Sequence, residues 1–264
     1  MLRRAWEKLH RGDREPWPDA RLIARRGSAH PGLGTWIAAH GQAGAVAEGL
    51  QAAWGEFHAG DFRSAIKRGS ELDVLGASVA NKAAAIHALH SRDATAQQTL
   101  EAAIARGEAA VRVLDDSANT HYTLALVLGR YGQHISIARA IAQGFAGRVR
   151  THLDRAIELE SRHAEAHVAL GLYHAEILGK LGSLAASLTF GVSASAALDH
   201  FRRAVSLAPD SPIVRIEYAN GLLLLDRTRY RDEARALYRQ AAACQPLDAM
   251  ERLDVQRAQG GVKD

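Results

Sequence analysis

The sequence predicts an all-α fold, an α-solenoid of antiparallel helix pairs, and three observations carry that prediction. Alanine, leucine, isoleucine and valine supply most of the 47% apolar content, while aromatics make up only 6%. Alanine loses the least on entering a helix, and runs of β-branched residues are missing. Apolar residues recur at helical spacing from Ala45 onward. A pattern of small, aromatic and imino residues then returns along the chain at a fixed shift.

The opening segment differs from the rest of the chain. Glu15-Pro16-Trp17-Pro18 and His30-Pro31-Gly32-Leu33-Gly34 punctuate it with helix breakers. Trp6, Trp17 and Trp36 are three of the 4 tryptophans in the chain, so this stretch is expected to fold back onto the helices after it. We set the first segment at residues 1–43, the helical repeat domain at 44–248, and a terminal helix end and tail at 249–264. Within the repeat domain, breaks fall at Gly60-Asp61, Ser91-Arg92-Asp93, Asp115-Asp116-Ser117, Ser161-Arg162, Pro209-Asp210-Ser211-Pro212 and Pro246.

The repeat is clearest near the end of the chain. Ala197, Phe201, Ala204 and Pro209 are matched at identical spacing by Ala234, Tyr238, Ala241 and Pro246. Each alanine lets a neighbouring helix come close, the aromatic fills the gap between paired helices, and the proline ends the second helix of the pair. This is the tetratricopeptide arrangement, in which helix pairs stack side by side. Leu153, Ala156 and Ser161 form a weaker copy, and Leu128-Gly129-Arg130-Tyr131-Gly132 is echoed by Leu178-Gly179-Lys180-Leu181-Gly182. The echo is longer than one tetratricopeptide unit of about 34 residues, so insertions are expected between paired helices. A first unit reads through Trp54, Gly60-Asp61-Phe62 and Ala65.

From about Ala103 to Pro246 the chain resembles the helical domain of the regulator of microtubule dynamics proteins and similar bacterial tetratricopeptide proteins. The residues that carry the resemblance are His121, Gly129-Arg130-Tyr131, the run His152 to Leu159, Leu170-Gly171, and Ala197-Leu198 with Phe201 and Ala204. The resemblance implies adaptor or tethering roles, and helical domains of this sort are associated with microtubule and phospholipid binding. The alanine- and arginine-rich composition reads as bacterial, where a microtubule partner is not expected. A second similar group, helical-repeat proteins accompanying bacterial solute transporters, would imply a small-molecule groove, but those proteins are exported and no export signal is seen here.

Charge and cysteine usage narrow the function classes. The net charge of +4 comes from the first 26 residues, where Arg3, Arg4, Lys8, Arg11, Arg14, Arg21, Arg25 and Arg26 outnumber Glu7, Asp13, Glu15 and Asp19. That excess is too small for a dedicated nucleic-acid domain, yet enough to touch an acidic surface. Cys244 is the single cysteine, which excludes an internal disulfide and a thiolate metal cage. No run reaches the roughly 20 apolar residues of a membrane span, and a cytoplasmic protein is expected.

Three candidates for chemistry resolve as packing. His163, His167 and His174 share a helix face at spacings a metal would accept, but the pattern is not His-Glu-x-x-His and no cysteine assists. Gly32-Leu33-Gly34 lacks the third glycine and the strand of a dinucleotide fingerprint. Gly191-Val192-Ser193-Ala194-Ser195 lacks the closing glycine and the strained strand of a nucleophile elbow. We therefore expect no enzyme, no cofactor and no metal. The segment from Gly179 to Ala197 is read as an insert packed over helix ends, with Phe190 plugging the core.

In a repeat of this kind the first helix of each pair turns one face inward. That face comprises Trp54, Phe57 and His58, then Asn119, Tyr122, Leu126 and Arg130, then Glu165, Val168, Leu172 and Glu176, and finally Ile216, Asn220 and Leu223. Aromatics, isolated charges and aliphatics together suit a peptide or partner helix, with polar groups fixing orientation and apolar ones supplying area. The expectation is a protein-interaction scaffold whose partner is another protein or peptide. The alternative is a carrier or sensor of a lipid-like or small amphipathic molecule in a tunnel through the repeats.

Overall fold

Helix starts fall where local chemistry sets them. Asp19 and Asp61 each turn a carboxylate back on the helix that each precedes, accepting from Leu22 N at 2.9 Å and Ser64 N at 3.1 Å. Ser193 accepts from Ala196 N at 3.2 Å in the same way. Such side chains satisfy amides that the first helical turn leaves without partners. Pro31 and Pro212 open their helices, where a missing N–H costs nothing.

The computed structural model describes residues 2–90, 95–135, 139–140 and 143–261. Along the chain come α1 Leu2–Leu9, α2 Ala20–Ala29, α3 Pro31–Ala39, α4 Gln42–Ala59, α5 Phe62–Glu71, a 3-10 turn at Asp73–Gly76, α6 Ala77–His90, α7 Ala96–Val113 and α8 Ala118–Gly132. Next are α9 Phe145–Leu159, α10 Ala164–Leu181, α11 Ser183–Phe190, α12 Ala194–Leu207, α13 Pro212–Asp226, α14 Arg231–Ala242 and α15 Ala249–Gly261. No strand occurs among the described residues, and the class is all-α. Nor is any helix among them long and apolar enough to cross a membrane.

The breaks read in the sequence at Gly60-Asp61, Asp115 to Ser117, Ser161-Arg162, Pro209 to Ser211 and Pro246 separate helices here, while Ser91 to Asp93 lies outside the described residues. The opening segment is more helical than its punctuation implies. Gly32, Leu33 and Gly34 sit inside α3, because Pro31 at the first helical position starts a helix and does not stop one.

The chain forms two compact units, one holding residues up to Trp6 together with Glu15–Phe145, the other holding Glu7–Arg14 and the chain from Ala146 onward. In the first unit, Ile23, Leu33 and Ile37 of the opening segment share a core with Val46, Leu50, Leu75, Ala110 and Leu114. Burial of such side chains contributes about 1.5 to 3 kcal/mol each, enough to hold α2 and α3 onto α4.

In the second unit the repeat pattern becomes geometry. Ala197, Phe201 and Ala204 of α12 share a core with Ala164, Val168, Val214, Tyr218 and Ala234. Phe201 is fully buried and stacks on Tyr218 with ring centroids 4.9 Å apart. Ala241 sits beneath α15 with Ile216 and Ala258, and Tyr238 packs at the edge of that cluster. Pro209 is exposed and Pro246 half-buried, as befits residues that end helices and fill no core.

The insert forms its own short helix, α11. Leu184 and Leu188 are 75% and 80% exposed, whereas Ala186 and Val192 are buried. Phe190 is only half-buried, so it does not plug the core as its sequence suggests. Residues four apart lie on one helix face, and here that face carries both leucines outward while the small alanine turns in.

Candidate functional site

In the first unit, the expected inner-face residues divide by burial. Trp54, Phe57 and His58 of α4 are buried in an aromatic cluster, with Trp54 edge-on to Phe57 at 5.4 Å and stacked near His58 at 5.9 Å. Trp6 meets Trp54 edge to face at 5.9 Å and Trp17 at 4.9 Å. On α8, Asn119 and Tyr122 are buried, and Leu126 and Arg130 reach partial exposure one and two turns further on.

In the second unit, α10 and α13 lie side by side. Val168 and Ile216 point into the core and Glu165 is buried, while Leu172, Glu176, Asn220 and Leu223 remain partly exposed. Leu172 and Leu223 both pack, partly buried, against the same core cluster, so each helix contributes to its margin. Polar partners fix it. The Asn220 amide donates to Glu217 Oε2 at 2.8 Å, the Tyr238 hydroxyl donates to Asn220 Oδ1, and Arg257 donates to Glu217 Oε1 at 3.1 and 3.2 Å. Glu176 accepts from Lys180 at 3.3 Å, one turn along α10. At the far end of α10, a cavity of about 480 Å³ opens between Leu178, Ser187 of α11, Val192 and Leu225.

The histidines of this unit are used for structure. His163 is buried and caps α10, its Nδ1 accepting from Ala166 N at 3.0 Å. His167 Nε2 lies 3.1 Å from Ser161 O, and its Nδ1 lies 3.0 Å from His200 Nδ1 on α12. A carbonyl only accepts, so His167 carries its proton on Nε2, leaving Nδ1 bare to accept from His200 Nδ1–H. His174 Nδ1 accepts from Ser193 N at 3.2 Å, which ties α10 to the start of α12. Among the described residues no three His, Cys, Asp or Glu side chains converge as a metal site.

This arrangement works only with neutral imidazoles. Burial pushes His174 down to about 4, helped by Arg150 and His200, and it lowers His167 and His200 as well, with His167 acting on His200 and Arg203 on His167. Asp154 and Asp199 oppose the shift and do not overcome it. Because the folded-state values lie below the unfolded one of about 6.5, the unfolded chain takes up more protons in between, and stability falls as pH drops through that interval. We expect a loss of about 1 to 2 kcal/mol between pH 7 and pH 4.5, allowing for solvent at half-exposed His200. Thermal melts across that range measure it. A decline of equal size in the His167→Gln, His174→Gln double variant would assign the effect elsewhere.

Two site features were not visible in the sequence. Arg11 reaches Glu251 Oε1 at 2.5 Å, a pair separated by 240 positions. Glu217 ties α13 to α15 through Arg257 in the same manner. Neither contact has a local spacing that could have announced it.

Comparison with known proteins fits this architecture. The family model described as regulator of microtubule dynamics protein 1-3 matches residues 77–259. A rat protein, regulator of microtubule dynamics protein 3, is 33% identical over 108 residues, a stretch that covers 39% of this chain and 22% of that relative. The chain thus spans about a fifth of that curated relative. Among solved structures, a thermophilic tetratricopeptide protein of Thermus thermophilus superposes with a TM-score of 0.58 at 18% identity, covering 81% of this chain and 98% of its own. The fold is therefore of the tetratricopeptide type.

Proposed function

We propose that this chain, which belongs to the regulator of microtubule dynamics family, is a non-catalytic scaffold that holds a peptide or helix of a partner protein against the exposed sides of the first-of-pair helices of its second unit. The observation that carries this reading is the strip on α10 and α13, where Leu172 and Leu223 flank Glu176 and Asn220. Apolar area beside fixed polar groups is what a helix-in-groove partner requires. Leu126 and Arg130 offer the same pairing on α8. The tetratricopeptide-type fold supports the scaffold role, since stacked helix pairs expose one side of each first helix.

The rat relative is named for microtubule dynamics, and a cytoskeletal polymer is accordingly one class of partner to include in a screen. Affinity capture with the full chain, followed by direct titration of the partner recovered, tests the proposal. Glu176→Arg is expected to weaken that partner at least tenfold, about 1.4 kcal/mol, whereas Arg252→Glu, at an exposed position of α15, leaves it unchanged. Binding by Glu176→Arg equal to that of Arg252→Glu refutes the strip as the docking surface. A stoichiometric small molecule seen by native mass spectrometry in place of a partner would favour the carrier function instead.

A further inference from the structure

Helix α11 is held in place without being covered. Gly182 at φ +77° and Gly191 at φ +60° turn the chain sharply at its two ends, in a region of backbone space that favours glycine. Arg150 Nη1 of α9 donates to Phe190 O at 2.9 Å and to Gly191 O at 3.3 Å, satisfying carbonyls that the end of a helix leaves open. Of the residues of α11 only Ala186 is buried, and a helix this short is marginal in water on its own. Leu184 and Leu188, four positions apart on one face, stand largely exposed. Two leucines are thus fixed in position with nothing of the second unit over them.

The cavity of about 480 Å³ adjoins them, lined by Ser183 and Ser187 of α11 with Leu178, Val192, Leu224 and Leu225. Each of these serines precedes one of the exposed leucines, so cavity wall and projecting side chains lie about 100° apart round the same helix. Leu224 belongs to both, lining the cavity and standing 42% exposed. No residue from Leu181 to Leu198 carries a charge. Charges begin at the margin, and there both signs occur together. Glu176 and Lys180 pair at 3.3 Å near the end of α10, and Asp226 and Arg227 stand exposed at the end of α13.

We propose that α11 is a self-association element, through which two copies of this chain pair about a twofold axis with Leu184 and Leu188 of each seated at the cavity of the other. A surface that carries both projection and recess satisfies itself in one symmetric contact. Charge points to the same occupant. An acidic or a basic partner finds no charge to answer on α11, whereas a second copy brings an uncharged centre to an uncharged centre and a margin of both signs to its like. Since α11 spans only about 12 Å, the contact is small and the pairing weak and reversible. The inference does not depend on a partner for the α10 and α13 strip.

Sedimentation equilibrium of the full chain tests it. Between about 10 µM and about 1 mM, the average mass should rise from that of one chain toward that of two. The double variant Leu184→Asp, Leu188→Asp is expected to raise the dissociation constant at least tenfold, and Ser187→Phe, which fills the recess while leaving both leucines, should do the same. Leu247→Asp, at an exposed leucine outside α11 and the cavity, should associate like wild type. If circular dichroism shows that the aspartates unwind helix, Leu184→Ala, Leu188→Ala replaces them with the same expectation, since alanine keeps the helix and removes the projection. A wild-type chain that keeps the mass of one chain throughout overturns the proposal and leaves α11 to another occupant. Association undiminished in the leucine variant, or in Ser187→Phe, overturns it as well.

Discussion

Gly221→Ala is expected to destabilise the second unit by about 3 kcal/mol and to lower its melting temperature by about 10 °C. A Cβ at this position would stand 2.1 Å from Phe201 Cζ and 2.5 Å from Cε2. The ring cannot step aside. Gly171 crowds the same ring, since a Cβ there would be 2.7 Å from Cδ1 and Cε1, and Tyr218 stacks on it at 4.9 Å. Two opposing effects meet at this site. Alanine in place of a mid-helix glycine gains about 1 kcal/mol of helix propensity, but overlap with a fully buried aromatic costs more, because neither backbone nor ring has a free direction. Gly147→Ala in α9 is the control, since a Cβ there meets nothing within 4 Å; with no overlap to offset the helix preference, it should hold stability or raise it by up to about 1 kcal/mol. Combining Gly221→Ala with Phe201→Leu should recover part of the loss. Wild-type melting of Gly221→Ala would show that Phe201 does not wedge α10 and α13 apart. Since the same two helices carry Leu172, Glu176, Asn220 and Leu223, the variant should also weaken partner binding.

That wedge marks how far the sequence could be read. Ala197, Phe201 and Ala204 announced themselves because their spacing is local and returns at Ala234, Tyr238 and Ala241. The glycines facing Phe201 did not, because they lie on two other helices, 30 and 20 positions away, and only packing brings them to one ring. The same holds for the proposed site. Helical phase named Leu172, Glu176, Asn220 and Leu223, which are partly exposed, and on the same logic it named Trp54, Phe57 and Ile216, which are buried. Phase gives direction, whereas burial depends on what arrives from elsewhere in the chain. What arrives at Trp54 is Trp6, and what arrives at Glu165 is Gly12. Both come from the basic opening, whose tryptophans argue from the sequence that it folds back onto the helices after it. His167 and His200 repeat the lesson, since a pair 33 positions apart has no signature beyond each histidine's presence.

The opening segment's role can be measured directly at Trp6. Its ring is 4% exposed, its Nε1–H donates to Glu15 O at 2.7 Å, and it stands edge-on to Trp17, Trp54 and His58 at 4.9, 5.9 and 6.2 Å. Trp6→Ala therefore removes a large buried side chain and one hydrogen bond together, and should cost about 3 to 5 kcal/mol in the first unit. Trp6→Phe separates the contributions: most ring contact survives, the hydrogen bond to Glu15 is lost, and the cost should fall to about 1 to 2 kcal/mol. Trp36 supplies the contrast, being half-buried and stacked on exposed His40 at 4.0 Å; Trp36→Ala should cost about 1 kcal/mol. Urea unfolding monitored by circular dichroism reads all three without relying on the fluorophores removed. A Trp6→Ala chain as stable as wild type would mean that α1 rests on the unit without supporting it. The expected order, Trp6→Ala above Trp6→Phe above Trp36→Ala, arises because Trp6, set edge-on to Trp17, Trp54 and His58, helps to close off the buried face of α4 from water. A chain that loses this closure exposes Trp54 and Phe57, turning the buried part of the expected inner face into an adhesive surface with no partner specificity.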